Sequence, residues 1–186
     1  MTPLTADLLM KTIDEIGLPK GVVNLVHGYG MGAGSSLVSH ENVSLVSFTG
    51  GTSTGSIVAK SAASSFKKLS LELGGKNASI IFDDCNLENT VKGVVRSGFL
   101  NQGQVCLCGS RILVQEKIYD EFVKKFVSEV QNMKIGDPSD ENTKLGALIS
   151  PEHLSKVEEY IEIAKDEGGT VLTGGYPNLP KEFKNG

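Results

Sequence analysis

The sequence predicts an α/β fold with largely parallel strands, and three observations carry that prediction. Short apolar runs alternate with stretches of helical period, glycine-rich turns follow the strand patterns, and 39% hydrophobic against 22% charged residues is the balance of a globular chain with a core. Residues 5–16 place Leu8, Leu9, Thr12, Ile13 and Ile16 at helical spacing, and Gly17 and Pro19 stop that pattern. A short buried strand is expected over 22–26, then a glycine-rich loop over 28–34. A second strand over 43–48, a helix over 55–64 and a third strand over 68–73 follow, the last alternating Leu69, Leu71 and Leu73 with polar neighbours. Beyond Gly74-Gly75 the pattern resumes with a strand over 78–82 and a helix marked by Leu87, Val91, Val94, Val95 and Phe99. A strand over 112–114 and an amphipathic helix over 118–133 come next. Another helix spans 151–167, with Ser150 as N-cap and Pro151 at its first position. Gly168-Gly169 ends it, 170–173 reads as a last strand, and 175–186 is rich in Pro, Asn and Lys without period.

A length of 186 residues suffices for a sizeable core but is short for a two-domain, two-substrate enzyme. Eighteen basic against 22 acidic residues leave a net charge of -4, and no basic stripe offers to neutralise phosphates, so nucleic acid is excluded as a partner. The uncharged stretch 42–59 is full of Ser, Thr and Gly, which is no bilayer span. The start lacks a basic-then-apolar leader pattern, so no membrane and a cytoplasmic location are expected. Three cysteines, Cys85, Cys106 and Cys108, cannot all pair with one another, and free thiols are expected. With His27, His40 and His153 far apart in sequence, no metal site is expected.

Four segments hold residues of chemical interest. Gly28-Tyr29-Gly30-Met31-Gly32-Ala33 fits G-x-G-x-x-G/A after the expected strand, either as a pyrophosphate turn or as a plain strand-to-helix turn, and the acidic ribose ligand about twenty residues on is missing. Gly50-Gly51-Thr52-Ser53-Thr54-Gly55 also follows a strand and opens a helix. Ser56 stands where a phosphate-binding loop of a nucleoside triphosphatase needs Lys, which leaves one anion cradle or a turn as the alternatives. Glu72, at a strand end beside two glycines, is a movable carboxylate: partial burial would bring its pKa toward neutrality as a general base, whereas alternation alone equally makes it a solvated strand residue. Cys106 follows Asn101-Gln102-Gly103-Gln104-Val105, where a helix breaks and a loop exposes a thiol, to serve as a nucleophile or to lie inert. Cys85 and Cys108 read as packing residues.

Leu71-Glu72-Leu73-Gly74-Gly75-Lys76-Asn77-Ala78 and the run from Phe99 through Cys106-Leu107-Cys108-Gly109-Ser110-Arg111 resemble the glutamate and cysteine signatures of the NAD(P)-dependent aldehyde dehydrogenase superfamily. Phe48-Thr49-Gly50 to Gly55 resembles its cofactor loop, and the likeness extends over essentially the whole chain in the family's order. The resemblance implies a partial Rossmann-like cofactor domain, residues 1–76, followed by part of an α/β catalytic domain, 77–186. It implies NAD as cofactor and a small-molecule aldehyde as substrate, with a homo-oligomer for the full-length relative. Cys106 takes the nucleophile's role, Glu72 that of the base for deacylation, and Thr49, Gly50, Gly51, Gly55, Glu72 and Leu73 those of cofactor-binding residues. Asn101 and Gln102 shape the nucleophile loop, and the Cys106 N–H is one oxyanion donor. On this resemblance a thiohemiacetal on Cys106 gives up hydride to leave a thioester, to which Glu72 directs water.

Gly51 departs from the family, which usually has Ser there, and Thr52 offers a replacement hydroxyl. The resemblance begins just beyond the family's ribose-holding Lys and Glu and stops before its later ribose-contacting Glu. An internal fragment, weakly active or inactive alone, is therefore expected. The segments 68–77, 106–108 and 145–150 look most like members acting on 2-aminomuconate or 2-hydroxymuconate semialdehyde. Two rivals stand beside this reading: a cofactor-independent cysteine acyl-transferase or hydrolase, and a non-catalytic subunit that pairs with full-length enzyme.

Overall fold

The protein is described by a computed structural model over residues 2–175. Its backbone contacts divide it between Leu73 and Gly74 into two units, and each contains one parallel β-α-β element. The expected α/β class with parallel strands is therefore what the chain forms.

The first unit opens with α1 (Leu4–Glu15). Gly17 ends it in the left-handed region, φ 75°, where Leu18 N–H reaches back to the Ile13 carbonyl at 3.3 Å and closes the last turn. No strand forms over 22–26: Val22, Leu25 and Val26 stay exposed, because a strand exists only through a ladder partner and none of the described strands pairs there. The glycine-rich stretch is likewise no open loop, since Gly30–Gly34 winds into a single π turn that runs into α2 (Ser35–Ser39).

Next come β1 (Leu45–Gly50), α3 (Thr52–Ala63) and β2 (Lys68–Leu73), the two strands in parallel register from Leu45 opposite Lys68 to Gly50 opposite Leu73. Strand alternation decides the faces. Val46 and Phe48 with Leu71 and Leu73 form the more protected row, and Val58 and Ala62 of α3 are buried. Ser47, Thr49, Ser70 and Glu72 form the other row and are exposed. The helix begins three residues earlier than the expected 55, because Gly55 belongs to its first turn and donates to the Gly51 carbonyl at 2.9 Å.

In the second unit β3 (Ala78–Ile81) and β4 (Arg111–Val114) pair in parallel, joined through α4 (Leu87–Phe99). Asn86 caps α4 by accepting the Asn89 N–H at 3.1 Å. A turn of 3₁₀ helix, Glu116–Ile118, leads into α5 (Tyr119–Gln131). The apolar stripes of both helices meet in a core of Ile81, Val91, Val94, Val95 and Phe122, with Phe122 stacked on Phe126 at 5.5 Å. The last helix, α6 (Pro151–Asp166), starts as its sequence predicts: Ser150 Oγ accepts the His153 N–H at 3.2 Å and Pro151 fills the first position. The strand expected over 170–173 does not form; Val171 and Leu172 are exposed and pair with no strand of the described residues. The aperiodic tail lies outside the described residues, apart from Gly175.

Candidate active site

In the first unit every expected cofactor-binding residue gathers at the C-terminal ends of β1 and β2 and the start of α3. Thr49 stands in register with Glu72, and Gly50 with Leu73, so Thr49 and Glu72 share one sheet face. Glu72 is exposed in the polar row, the solvated one of the two readings its sequence left open. At the N-terminus of α3 no side chain caps the helix, which leaves the N–H groups of Thr52, Ser53 and Thr54 without intrahelical partners. Two glycines give this end its shape. A Cβ on Gly51 would meet nothing within 4 Å, whereas one on Gly55 would fall 2.6 Å from Leu73 Cδ2. Gly55 thus lets α3 lie close on β2 and keeps its free N–H groups beside the strand ends, an arrangement suited to a diphosphate.

The second unit builds the cysteine turn. After Phe99 the chain reverses through three consecutive left-handed residues, Asn101 (φ 51°), Gln102 (φ 56°) and Gly103 (φ 72°). Two of them are not glycine, a backbone cost that persists only where surrounding contacts hold it. Gln102 supplies such contacts. With its amide oxygen toward Gly146 it accepts that N–H at 2.7 Å, and its nitrogen donates to the Asn101 carbonyl at 2.9 Å. Residues 105–108 then form a tight turn, closed by Cys108 N–H donating to the Val105 carbonyl at 2.9 Å. Cys106 sits inside the turn with its thiol exposed, and its N–H donates to none of the described residues.

The other thiols differ. Cys108 is buried and its sulfur accepts the Val105 N–H at 3.3 Å, while Cys85 packs against the core of the second unit. Both take the packing roles expected of them. Among the described residues no three His, Cys, Asp or Glu side chains cluster as metal ligands, and no helix is long and apolar enough to cross a membrane. The strongest carboxylate perturbation lies away from the turn, at Asp140, which the Lys134 ammonium holds down to about 2.

Sequence reasoning missed the residues that hold the cysteine turn from below. Asn77 Nδ2 donates to the Cys106 carbonyl at 2.9 Å, and Gly109 N–H donates to Ser97 Oγ at 3.1 Å. The available signal for Asn77 was its place in the glutamate segment, but nothing in the spacing says which carbonyl it reaches. At Gly109 a Cβ would strike Ser79 Oγ and lie 2.7 Å from Ser97 Oγ, so the chain leaves the turn through a gap with no room for a methyl group. Gly109→Ala should lower unfolding stability by about 1–3 kcal/mol, the usual range for overpacking. Urea denaturation checks it, and an unchanged midpoint would show that the two serines simply rotate away.

Comparison with known proteins places the whole chain in a family. The profile of the aldehyde dehydrogenase family matches residues 1–186. The chain belongs to the aldehyde dehydrogenase family. It is 50% identical to the 2-aminomuconic semialdehyde dehydrogenase of Mus musculus over 186 residues, all of this chain and 38% of that protein. The 2-aminomuconic 6-semialdehyde dehydrogenase of a Pseudomonas species is 43% identical over 187 residues, again 38% of its length. Among solved structures, betaine aldehyde dehydrogenase of Staphylococcus aureus in complex with NAD+ superposes with a TM-score of 0.95 at 43% identity, covering the whole chain and 37% of that protein. This aldehyde dehydrogenase chain thus spans well under half the length of the relatives it matches.

Proposed function

We propose that this chain supplies the nucleophile and the water-activating base of an NAD-dependent aldehyde dehydrogenase that oxidises a muconic-type semialdehyde to its carboxylate. The observation that carries the reading is Cys106: an exposed thiol beside its own unpartnered N–H, on a turn fixed at both ends. The semialdehyde assignment is supported by the muconic enzymes among the relatives. On this reading residues 1–76 are the C-terminal part of the NAD-binding domain and residues 77–186 the N-terminal part of the catalytic domain. A small-molecule aldehyde is the partner, the whole enzyme is a homo-oligomer, and the compartment is the cytoplasm.

Each step follows from a group already located. The Cys106 thiolate adds to the aldehyde carbon, and the carbonyl electron pair becomes an oxyanion that the Cys106 N–H receives as a hydrogen-bond donor. A bound NAD would supply the hydride acceptor for this carbon, and as the oxyanion re-forms the carbonyl a thioester would remain on Cys106. Glu72 takes a proton from a water molecule, the hydroxyl adds to the thioester carbon, and the Cys106 sulfur leaves as thiolate. Thr49, Gly50 and Gly51 would line the cofactor's place, and the free N–H groups of Thr52, Ser53 and Thr54 would receive its diphosphate. Gly55 and Leu73 act through their close packing.

Iodoacetamide labelling of the folded chain followed by peptide mapping tests the assignment. Cys106 should be modified first, since it alone of the three cysteines is exposed. Preferential labelling of Cys85 or Cys108 would sink it.

A further inference from the structure

We infer that Asn77 is a positioning residue for the nucleophile: its side-chain amide, by holding the Cys106 carbonyl, fixes the direction in which the Cys106 thiol and N–H point. The inference deepens, and rests on, the reading of Cys106 as nucleophile. Two peptide planes flank the Cys106 Cα, and together they set its orientation. The preceding plane is held within the turn, because the Val105 carbonyl accepts the Cys108 N–H at 2.9 Å and the Val105 N–H one residue position earlier donates to Cys108 Sγ at 3.3 Å. Among the described residues the carbonyl of the following plane has one partner, Asn77 Nδ2 at 2.9 Å. Without that donor the Cys106–Leu107 peptide can rotate, since Leu107 is 77% exposed and packs too little to hold it.

Asn77 can serve as a fixed post because its own backbone is anchored. Its carbonyl accepts the Arg111 N–H at 3.1 Å, the neighbouring Lys76 carbonyl accepts Arg111 Nε at 2.9 Å, and the β3–β4 ladder begins at the next residue with Ala78 opposite Arg111. Three hydrogen bonds therefore join residues 76–77 to the ends of the segment 106–111, one on the cysteine and two on the arginine. Only the first depends on the Asn77 side chain, which makes it separable by mutation. Removing the amide should release the thiol from its attack geometry and leave the ladder in place.

The test uses the mouse relative with its matching segment replaced by residues 1–186 of this chain. Asn77→Ala removes the donor; Asn77→Asp keeps the volume but sets a carboxylate against a carbonyl; Asn77→Gln restores a donor on a longer arm. Single-turnover NADH bursts should slow about ten- to a hundredfold in Asn77→Ala, as expected for a misplaced nucleophile. Asn77→Asp should be slower still and Asn77→Gln partly restored, with KM and the thermal midpoint little changed. Bursts within twofold of the parent in both Asn77→Ala and Asn77→Asp would overturn the inference while leaving Cys106 as nucleophile, as would equal losses in all three variants. A parent with no Cys106-dependent burst would sink the underlying reading and this inference with it. If Asn77→Ala does not fold, the order of Asn77→Asp and Asn77→Gln against the parent decides.

Discussion

Cys106→Ala is expected to abolish aldehyde oxidation, lowering turnover by about 10⁴-fold or more in the mouse relative carrying this segment. The magnitude follows from the chemistry: without the sulfur no covalent adduct forms, and the remaining groups act on an aldehyde hydrate that holds no thioester stage. Removing a nucleophile in enzymes of comparable logic leaves only the residual contribution of oxyanion donors and binding. The substitution should cost little stability, because the thiol is exposed and its sulfur accepts no hydrogen bond among the described residues. NADH absorbance with a muconic-type semialdehyde gives the readout, and far-ultraviolet dichroism confirms the fold. Turnover within tenfold of the parent would remove Cys106 from the mechanism and return the cofactor-independent and non-catalytic readings to consideration.

Glu72→Gln separates the two halves of the reaction. The side chain keeps its size and its place opposite Thr49 but loses the base, so deacylation should slow by about 10²- to 10⁴-fold. The first hydride transfer does not require that base. A burst of NADH equal to the active-site concentration should therefore persist, followed by a depressed steady state and an acyl-enzyme that mass spectrometry finds on Cys106. Loss of the burst with a normal steady state contradicts the role, as does an unchanged rate in both phases.

Much of the fold and part of the site were legible in the sequence because the signals are local. The Lys68–Leu73 strand matches its predicted limits, since leucine alternation and the following glycines mark both ends. The α6 start matches because Ser150 and Pro151 are sufficient to cap and open a helix wherever it packs. Cys85 and Cys108 fell into packing roles and Cys106 into an exposed turn, as the broken helix pattern before it suggested. The signature segments, read as a resemblance, likewise pointed to the family that the whole chain matches.

The tertiary structure decided what depends on a partner distant in sequence. Residues 22–26 and 170–173 have strand-like composition but no ladder among the described residues, and composition cannot supply a neighbour. The segment 50–55 read as the opening of a helix at Gly55, and the helix in fact starts at Thr52. What the sequence did not show is that Gly55 lies within touching distance of Leu73, a contact set by how α3 packs on the sheet. Alternation left Glu72 either partly buried or solvated, and the folded sheet decides for the exposed polar row opposite Thr49. The Asn77 amide reaches a carbonyl 29 residues away only once β3 and β4 are paired. Caps and alternation act through neighbours a few residues apart and survive in the sequence; register, burial and the aim of a side chain arise when separate segments meet, and so exist only in the folded chain.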